Sequence, residues 1–280
     1  MVHLTLKDTR PMKSLSRFPW WFLLIVLAGL VLAYAFYNNQ TYAEVFDFVK
    51  AGLITTIQVT LTAYAIAITI GLLTGLARVS KNPVIYNIAT LYVQVMRGVP
   101  ILVTLLYTAF VVTPWAITVI NSLGTSLAAA GLLPVENPLT ALNIRKVDFV
   151  ARAIIALAIS YGAFSAEIFR AGIESIGRGQ MEAARSLGMS YFQAMRYIIL
   201  PQAVRRVLPP LGNDFIAMLK ESSLVSALGV RDITQLGKLY ASSSFRYLET
   251  YTAVAFLYLS MTIVLSLGVK AMERKLKTDE

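Results

Sequence analysis

From Trp20 onward the chain sets long apolar runs between short polar stretches, and several runs have the length of a bilayer crossing. A helix rises 1.5 Å per residue, so about 20 apolar residues cross a hydrocarbon core of about 30 Å. Runs near residues 20–37, 53–77, 149–168 and 251–269 each predict one such helix. The stretch 84–120 is too long for a single straight helix. Gly98 and Pro100 predict a break there, giving a short interfacial helix to about Arg97 and a span to about Val112. A further span starts at 208–219 and is interrupted by Lys220 and Glu221. The expected architecture is an all-α membrane protein with about six transmembrane helices. Residues 113–148, with Pro114, Gly124, Gly131, Pro134 and Pro138 and few charges, read as an outer loop carrying short helices. Residues 170–206 read as a polar helical loop on the inner side.

Two details refine the second run. Thr55, Thr56, Gln58, Thr60 and Thr62 crowd its early turns, which predicts contact with protein or a water-filled path rather than lipid. Gly71 and Gly75 form a Gly-x-x-x-Gly pair that permits close helix approach.

Composition agrees with a lipid solvent: 57% of residues are hydrophobic and 14% charged, and the mean hydropathy is +0.65. The net charge of +10 would suit nucleic acid in a soluble protein. Here 16 of the 25 basic residues fall in the expected inner segments, which favours both termini inside and excludes a nucleic-acid reading. They are Lys7, Arg10, Lys13, Arg17, Arg78, Lys81, Arg170, Arg178, Arg185, Arg196, Arg205, Arg206, Lys270, Arg274, Lys275 and Lys277. Arg231, Lys238 and Arg246, in 221–250, run against that bias. The first run, with Trp20, Trp21, Tyr34 and Tyr37 as interfacial anchors, has full span length and no small-residue cleavage site, so it reads as a retained helix. With no cysteine and a single histidine, His3, neither a disulfide framework nor a metal site is expected. Gly237-Lys238 runs into Leu239, without the glycine and Ser/Thr of a phosphate-cradling loop. No cofactor site is expected on this chain.

Residues 182–201, EAARSLGMSYFQAMRYIILP, are charged and helix-forming between apolar spans. Glu182 to Leu187 favour helix, Ala183 and Ala184 are small enough to seat it in a partner's groove, and Gly188 is placed to end it in a left-handed conformation. A second helix is expected over about Tyr191–Ile199, with Pro201 ending or redirecting it.

The spacing of Glu182, Ala183, Ala184, Gly188, Ile198, Leu200 and Pro201 resembles the coupling-loop signature of binding-protein-dependent ABC importer permeases. Arg97-Gly98-Val99-Pro100-Ile101-Leu102, with Val99 where threonine is usual, is similar to a motif of the polar amino acid uptake branch (histidine, glutamine or glutamate type). So are Ala166-Glu167-Ile168-Phe169-Arg170-Ala171-Gly172-Ile173 and the stretch Leu211 to Leu224. The resemblance covers about residues 50–272. It implies a type I ABC importer transmembrane domain, a five-helix core to which residues 1–49 add a tail, one helix and a short outer loop. It places the coupling loop at about 174–201, a short tail at 273–280, and the chain in a bacterial inner membrane. The implied function is translocation of polar amino acids by alternating access, with no catalysis by this chain. ATP would be bound and hydrolysed by separate ABC ATPase subunits. A solute-binding protein would deliver the substrate, and a second permease subunit, identical or related, would complete the path. Glu182, Ala183, Ala184 and Gly188 would couple to the ATPase.

Ionisable residues within a span cost about 2.5–3.5 kcal/mol each on insertion scales, so those present need a purpose. Lys220 and Glu221, followed by two serines, mark a helix break where freed backbone groups can face a cavity, and they are candidates for the substrate path. Asn213 and Asp214 suit either substrate contact or polar packing between spans. Glu167 suits the path or an i+3 pair with Arg170. An ion-coupled secondary transporter would use such acids without an ATPase and would leave the 182–201 loop without a role. An intramembrane enzyme would need more than the one acid pair, Glu167 and Asp214.

Overall fold

The computed structural model describes residues 20–278, and every regular element among them is helical. His3, Lys7, Arg10, Lys13 and Arg17 lie outside the described residues. Helix α1 spans Trp20–Asn38 and α2 spans Gln40–Lys50; between them the Asn39 side chain accepts from the N–H groups of Thr41 and Tyr42, a helix-initiating cap. The outer loop expected after the first run is therefore largely helix. Tyr42, Val45, Phe46 and Val49 recur at helical spacing, and they bury α2 against Phe36 of α1 and Phe256 of α10 (Tyr247–Thr278). Phe36 stacks on Phe46 at 4.8 Å and meets Phe256 edge-on at 5.1 Å, which fastens the N-terminal pair to the last helix.

Helix α3 (Leu53–Val79) packs along α6 (Phe149–Glu174), and glycine sets their separation. A Cβ on Gly71 would stand 2.6 Å from Ser165 Cβ, and one on Gly75 would stand 2.8 Å from Phe169 Cβ. The Gly-x-x-x-Gly expectation holds. Small residues fill the seam, with Ala63, Ala67, Ala153 and Ala156 in one buried cluster with Leu157, Val59 and Met218. Of the early polar residues of α3, Thr56 and Thr60 are fully buried and bond backbone carbonyls, Thr55 is half-buried, and Gln58 and Thr62 are exposed.

Helix α4 (Pro83–Gly98) ends where expected, at extended Val99 and Pro100. The span after it does not stop at Val112: α5 continues over Ile101–Ala129, inside the region read as an outer loop. Pro114 fails to break it because residues Thr108–Val112 form a π-helical turn, in which the Thr113 N–H bonds to Thr108 O. That shift leaves Ala109 O facing a proline in the π register. Arg152 of α6 supplies the missing donor, Nη1 to Ala109 O at 3.2 Å.

After α6 come α7 (Arg178–Ser186) and a long helix over residues 191–221, here α8. It comprises Tyr191–Ala194, a π turn Met195–Ile199, and Leu200–Glu221. Pro201 does not end or redirect this helix, contrary to expectation. A π turn lies just upstream of the proline, with the Leu200 N–H bonded to Met195 O, and the helix runs on through Pro201. The break predicted at Lys220 and Glu221 is present: α8 gives way to a 3₁₀ turn, Ser222–Leu228, closed by Gly229 at φ +76°. Asp232 then caps α9 (Ile233–Ser244).

Among the described residues four runs are long and apolar enough to cross a membrane: Gln40–Val79, Ile101–Ala129, Phe149–Glu174 and Tyr247–Leu276. The six expected spans are thus four by this measure. The first survives as the shorter apolar helix Leu23–Asn38, and α8 has the length but carries Arg205, Arg206, Asp214, Lys220 and Glu221.

A knuckle and two charge clusters as candidate functional site

The loop between α6 and the membrane part of α8 is a knuckle held from both sides. At the end of α7, Gly188 adopts φ +82°. Its N–H bonds to Arg185 O at 3.0 Å, and the Met189 N–H bonds to Ala184 O at 3.2 Å, which closes the helix as a Schellman motif. The next helix starts two residues later with a reciprocal cap. Ser190 Oγ accepts from the Gln193 N–H at 3.2 Å, and Gln193 Oε1 accepts from the Ser190 N–H at 2.8 Å. Ala184 is buried, whereas Glu182 and Ala183 are exposed. Leu187 is 83% exposed and Phe192 75%, so the knuckle presents large apolar side chains outward. Ile176, Ile199 and Ala203 form the small core beneath it.

The four polar residues singled out on α8 separate into two faces. Asp214 and Glu221, seven residues apart, turn toward α3 and α6. Asp214 accepts a hydrogen bond from Ser165 Oγ at 2.9 Å. Tyr64 donates to Leu211 O at 2.5 Å, one turn before Asp214. The buried Tyr161 interacts with both Glu221 and Asp214. Among the described residues Glu221 Oε2 is buried without a hydrogen-bond partner. Asn213 and Lys220, also seven apart, are exposed on another side of the helix; Asn213 Nδ2 bonds back to Pro209 O at 3.3 Å.

Glu167 belongs to a different cluster, in the C-terminal part of α6. Its Oε1 accepts from Arg170 and its Oε2 from Arg78, with Arg97 Nη1 3.8 Å from Oε2. Arg170 also pairs with Glu174. The expected i+3 partner is therefore present, joined by arginines from α3 and α4. Sequence reasoning did not single out Arg78, Arg97, Tyr64, Tyr161 or Ser165 for these clusters. The 213/220 and 214/221 spacings were the available signal for two faces; nothing local marked Tyr64 or Tyr161 among their apolar neighbours.

Residues 67–278 match the model of the family "Binding-protein-dependent transport system inner membrane component". This chain belongs to that family. Relatives of this transport-component family agree. The chain is 39% identical over 219 residues to the probable amino-acid permease protein YxeN of Bacillus subtilis, covering 78% of this chain and 87% of the relative. It is 34% identical over 222 residues to the glutamine transport system permease protein GlnP of Escherichia coli, covering 79% and 90%. A crystal structure of an amino acid ABC transporter with histidines superposes with a TM-score of 0.67 at 36% identity, over 86% of this chain and 98% of that one. The inward-facing MetNI methionine ABC transporter, at 19% identity and a TM-score of 0.59 over 82% and 96%, shares the fold. The chain thus has the transmembrane fold of ABC importers and is an inner membrane permease subunit of that class.

Proposed function

We propose that this permease carries a polar amino acid by alternating access. In this reading it works with a second permease subunit, with ABC ATPase subunits that bind the ATP, and with an extracytoplasmic solute-binding protein that delivers the substrate. The knuckle carries the proposal. A two-state gate needs about 5.5 kcal/mol of differential binding to move from 1:99 to 99:1, and such a bias reaches the membrane only through a connector that does not yield. The paired caps at Gly188 and Ser190 supply that stiffness. The exposed Leu187 and Phe192, beside Glu182 and Ala183, supply apolar surface for an ATPase groove. The names of YxeN and GlnP support an amino acid as substrate. Asp214, which accepts from Ser165, and Glu221, whose Oε2 has no partner among the described residues, suit the ammonium group of such a substrate; Lys220 and Asn213 would line a neighbouring part of the path, and Glu167 would stand at its inner end.

The test is uptake by vesicles holding this chain with its ATPase and binding protein. Glu182→Lys and Gly188→Asp are expected to insert normally and to lose ATP-driven uptake at least tenfold. Normal uptake by both variants, or uptake without any ATPase, would move the case to an ion-coupled transporter.

A further inference from the structure

Three guanidiniums, those of Arg78, Arg97 and Arg170, meet at the C-terminal part of α6, and the ion pairs there use two carboxylates, Glu167 and Glu174. Arg170 takes Glu174 and one oxygen of Glu167, so a single oxygen, Glu167 Oε2, is left for two arginines. Arg78 holds it in this structure and is 8% exposed there. Arg97 is the surplus cation: it stands 3.8 Å away, is 44% exposed, and rests its guanidinium over the Phe164 ring at 5.7 Å.

The two competitors come from different elements. Arg78 is in the last turn of α3, and Arg97 is in the last turn of α4, directly before the break at Val99 and Pro100. A Cβ on Gly98 would meet nothing within 4 Å; earlier on α4, Tyr92, Val93 and Met96 rest against Ala163 and Ala166 of α6, so freedom to shift is confined to the end of α4. The present arrangement also leaves the buried Nε atoms of Arg78 and Arg170 without partners among the described residues, a cost that a second arrangement can relieve. The cluster sits at the root of the knuckle. Helix α6 ends at Glu174, a few residues before α7, and Leu76 and Val79 of α3 line one groove with Tyr191 and Met195 of α8.

We infer that Arg78 and Arg97 are positioning residues that exchange Glu167 Oε2 between two states of the inner gate. Arg78 stabilises the state described here, with α3 locked to α6. Arg97 stabilises the other, with the end of α4, already seated on α6 through Tyr92 and Val93, drawn closer to Glu167. What drives the exchange rests on the coupling role of the knuckle; the exchange itself does not.

The chain has no cysteine, so spin labels at Val95→Cys and Ala171→Cys report the α4–α6 distance in the purified full-length permease. Arg78→Gln is expected to raise the population of the short α4–α6 distance about tenfold relative to the unsubstituted labelled protein. Arg97→Gln is expected to lower it by a similar factor. If Arg78→Gln does not insert, Arg78→Lys, which keeps the charge and loses the forked donor, is expected to shift the population in the same direction by less. Shifts of the same sign in both variants, or no shift in either, would overturn the exchange. A failure of the coupling reading looks different: the two variants still shift in opposite directions, but adding the ATPase subunits and ATP moves neither.

Discussion

Ser165 and Glu167 stand two residues apart on one helix and serve opposite kinds of site. Ser165 points across to Asp214 on α8, whose carboxylate accepts from the Ser165 hydroxyl, while Tyr64 bonds to the backbone of Leu211 one turn earlier. Glu167 points to arginines from α3, α4 and its own helix. Two residues on a helix are about 200° apart, so adjacent positions face different neighbours. The cluster at Glu167 sets carboxylates against guanidiniums, with one cation in excess, and ties α3 to α6. The one at Asp214 and Glu221 meets a hydroxyl at Asp214 and, among the described residues, leaves Glu221 Oε2 unmet, which suits a visiting cation. Carboxylates in a membrane helix are not one class of feature; the partner across the seam decides what each is for.

The comparison can be broken most sharply at Glu167. Glu167→Ala strands the buried Arg78 guanidinium, and the expected loss of stability is about 3–5 kcal/mol, read from unfolding in detergent. A loss under about 1 kcal/mol would mean that Arg78 finds water or another partner, and that the pair does not tie α3 to α6. Next in size is Gly71→Ala. Its methyl would stand 2.6 Å from Ser165 Cβ, so α3 and α6 must part, at a cost of about 1–3 kcal/mol. The same change should disturb substrate selectivity, because it displaces the hydroxyl that Asp214 uses. Glu221→Gln is the smaller and more diagnostic change for the second cluster. Stability should move by less than about 1 kcal/mol, because the amide keeps the shape and one acceptor. Uptake affinity or selectivity should change while stimulated ATP hydrolysis survives. Unchanged selectivity would make that face of α8 structural. The smallest effect belongs to Glu174→Gln, an exposed i+4 pair worth about 0.3–0.5 kcal/mol, measurable only as a slight loss at low salt.

Proline shows where reading the chain in order fails. Pro114 reads as part of an outer loop and Pro201 as the end or redirection of a helix, and both lie inside helices. In each case a π turn just upstream shifts the hydrogen bonds by one residue, and at Pro114 the orphaned Ala109 carbonyl is met by an arginine 43 residues away. Neither π turn is visible in a window around the proline. The break at Lys220 and Glu221, by contrast, was legible, since it coincides with a charge pair and a serine pair in an apolar run. Helix α2 carries a cap and an i, i+3, i+4, i+7 apolar set, but its 11 residues are too few for a span, so the stretch reads as a short outer loop.

The candidate site divides in the same way. Residues 182–193 contain every part of the knuckle: Gly188 for the left-handed end, and Ser190 with Gln193 for the cap. The turn was therefore readable from sequence, and its resemblance to a coupling loop with it. The Ser-x-x-Gln box was present too, though unread. The sequence by itself determined the apolar segments, the glycine seam of α3 and the knuckle, because caps, turns and helical periodicity are settled by residues within about four positions of one another. Only the tertiary structure decided which acids face hydroxyls and which face arginines. It also decided which prolines are tolerated, because those outcomes depend on donors and charges brought in from other helices, whose approach the order of residues does not disclose.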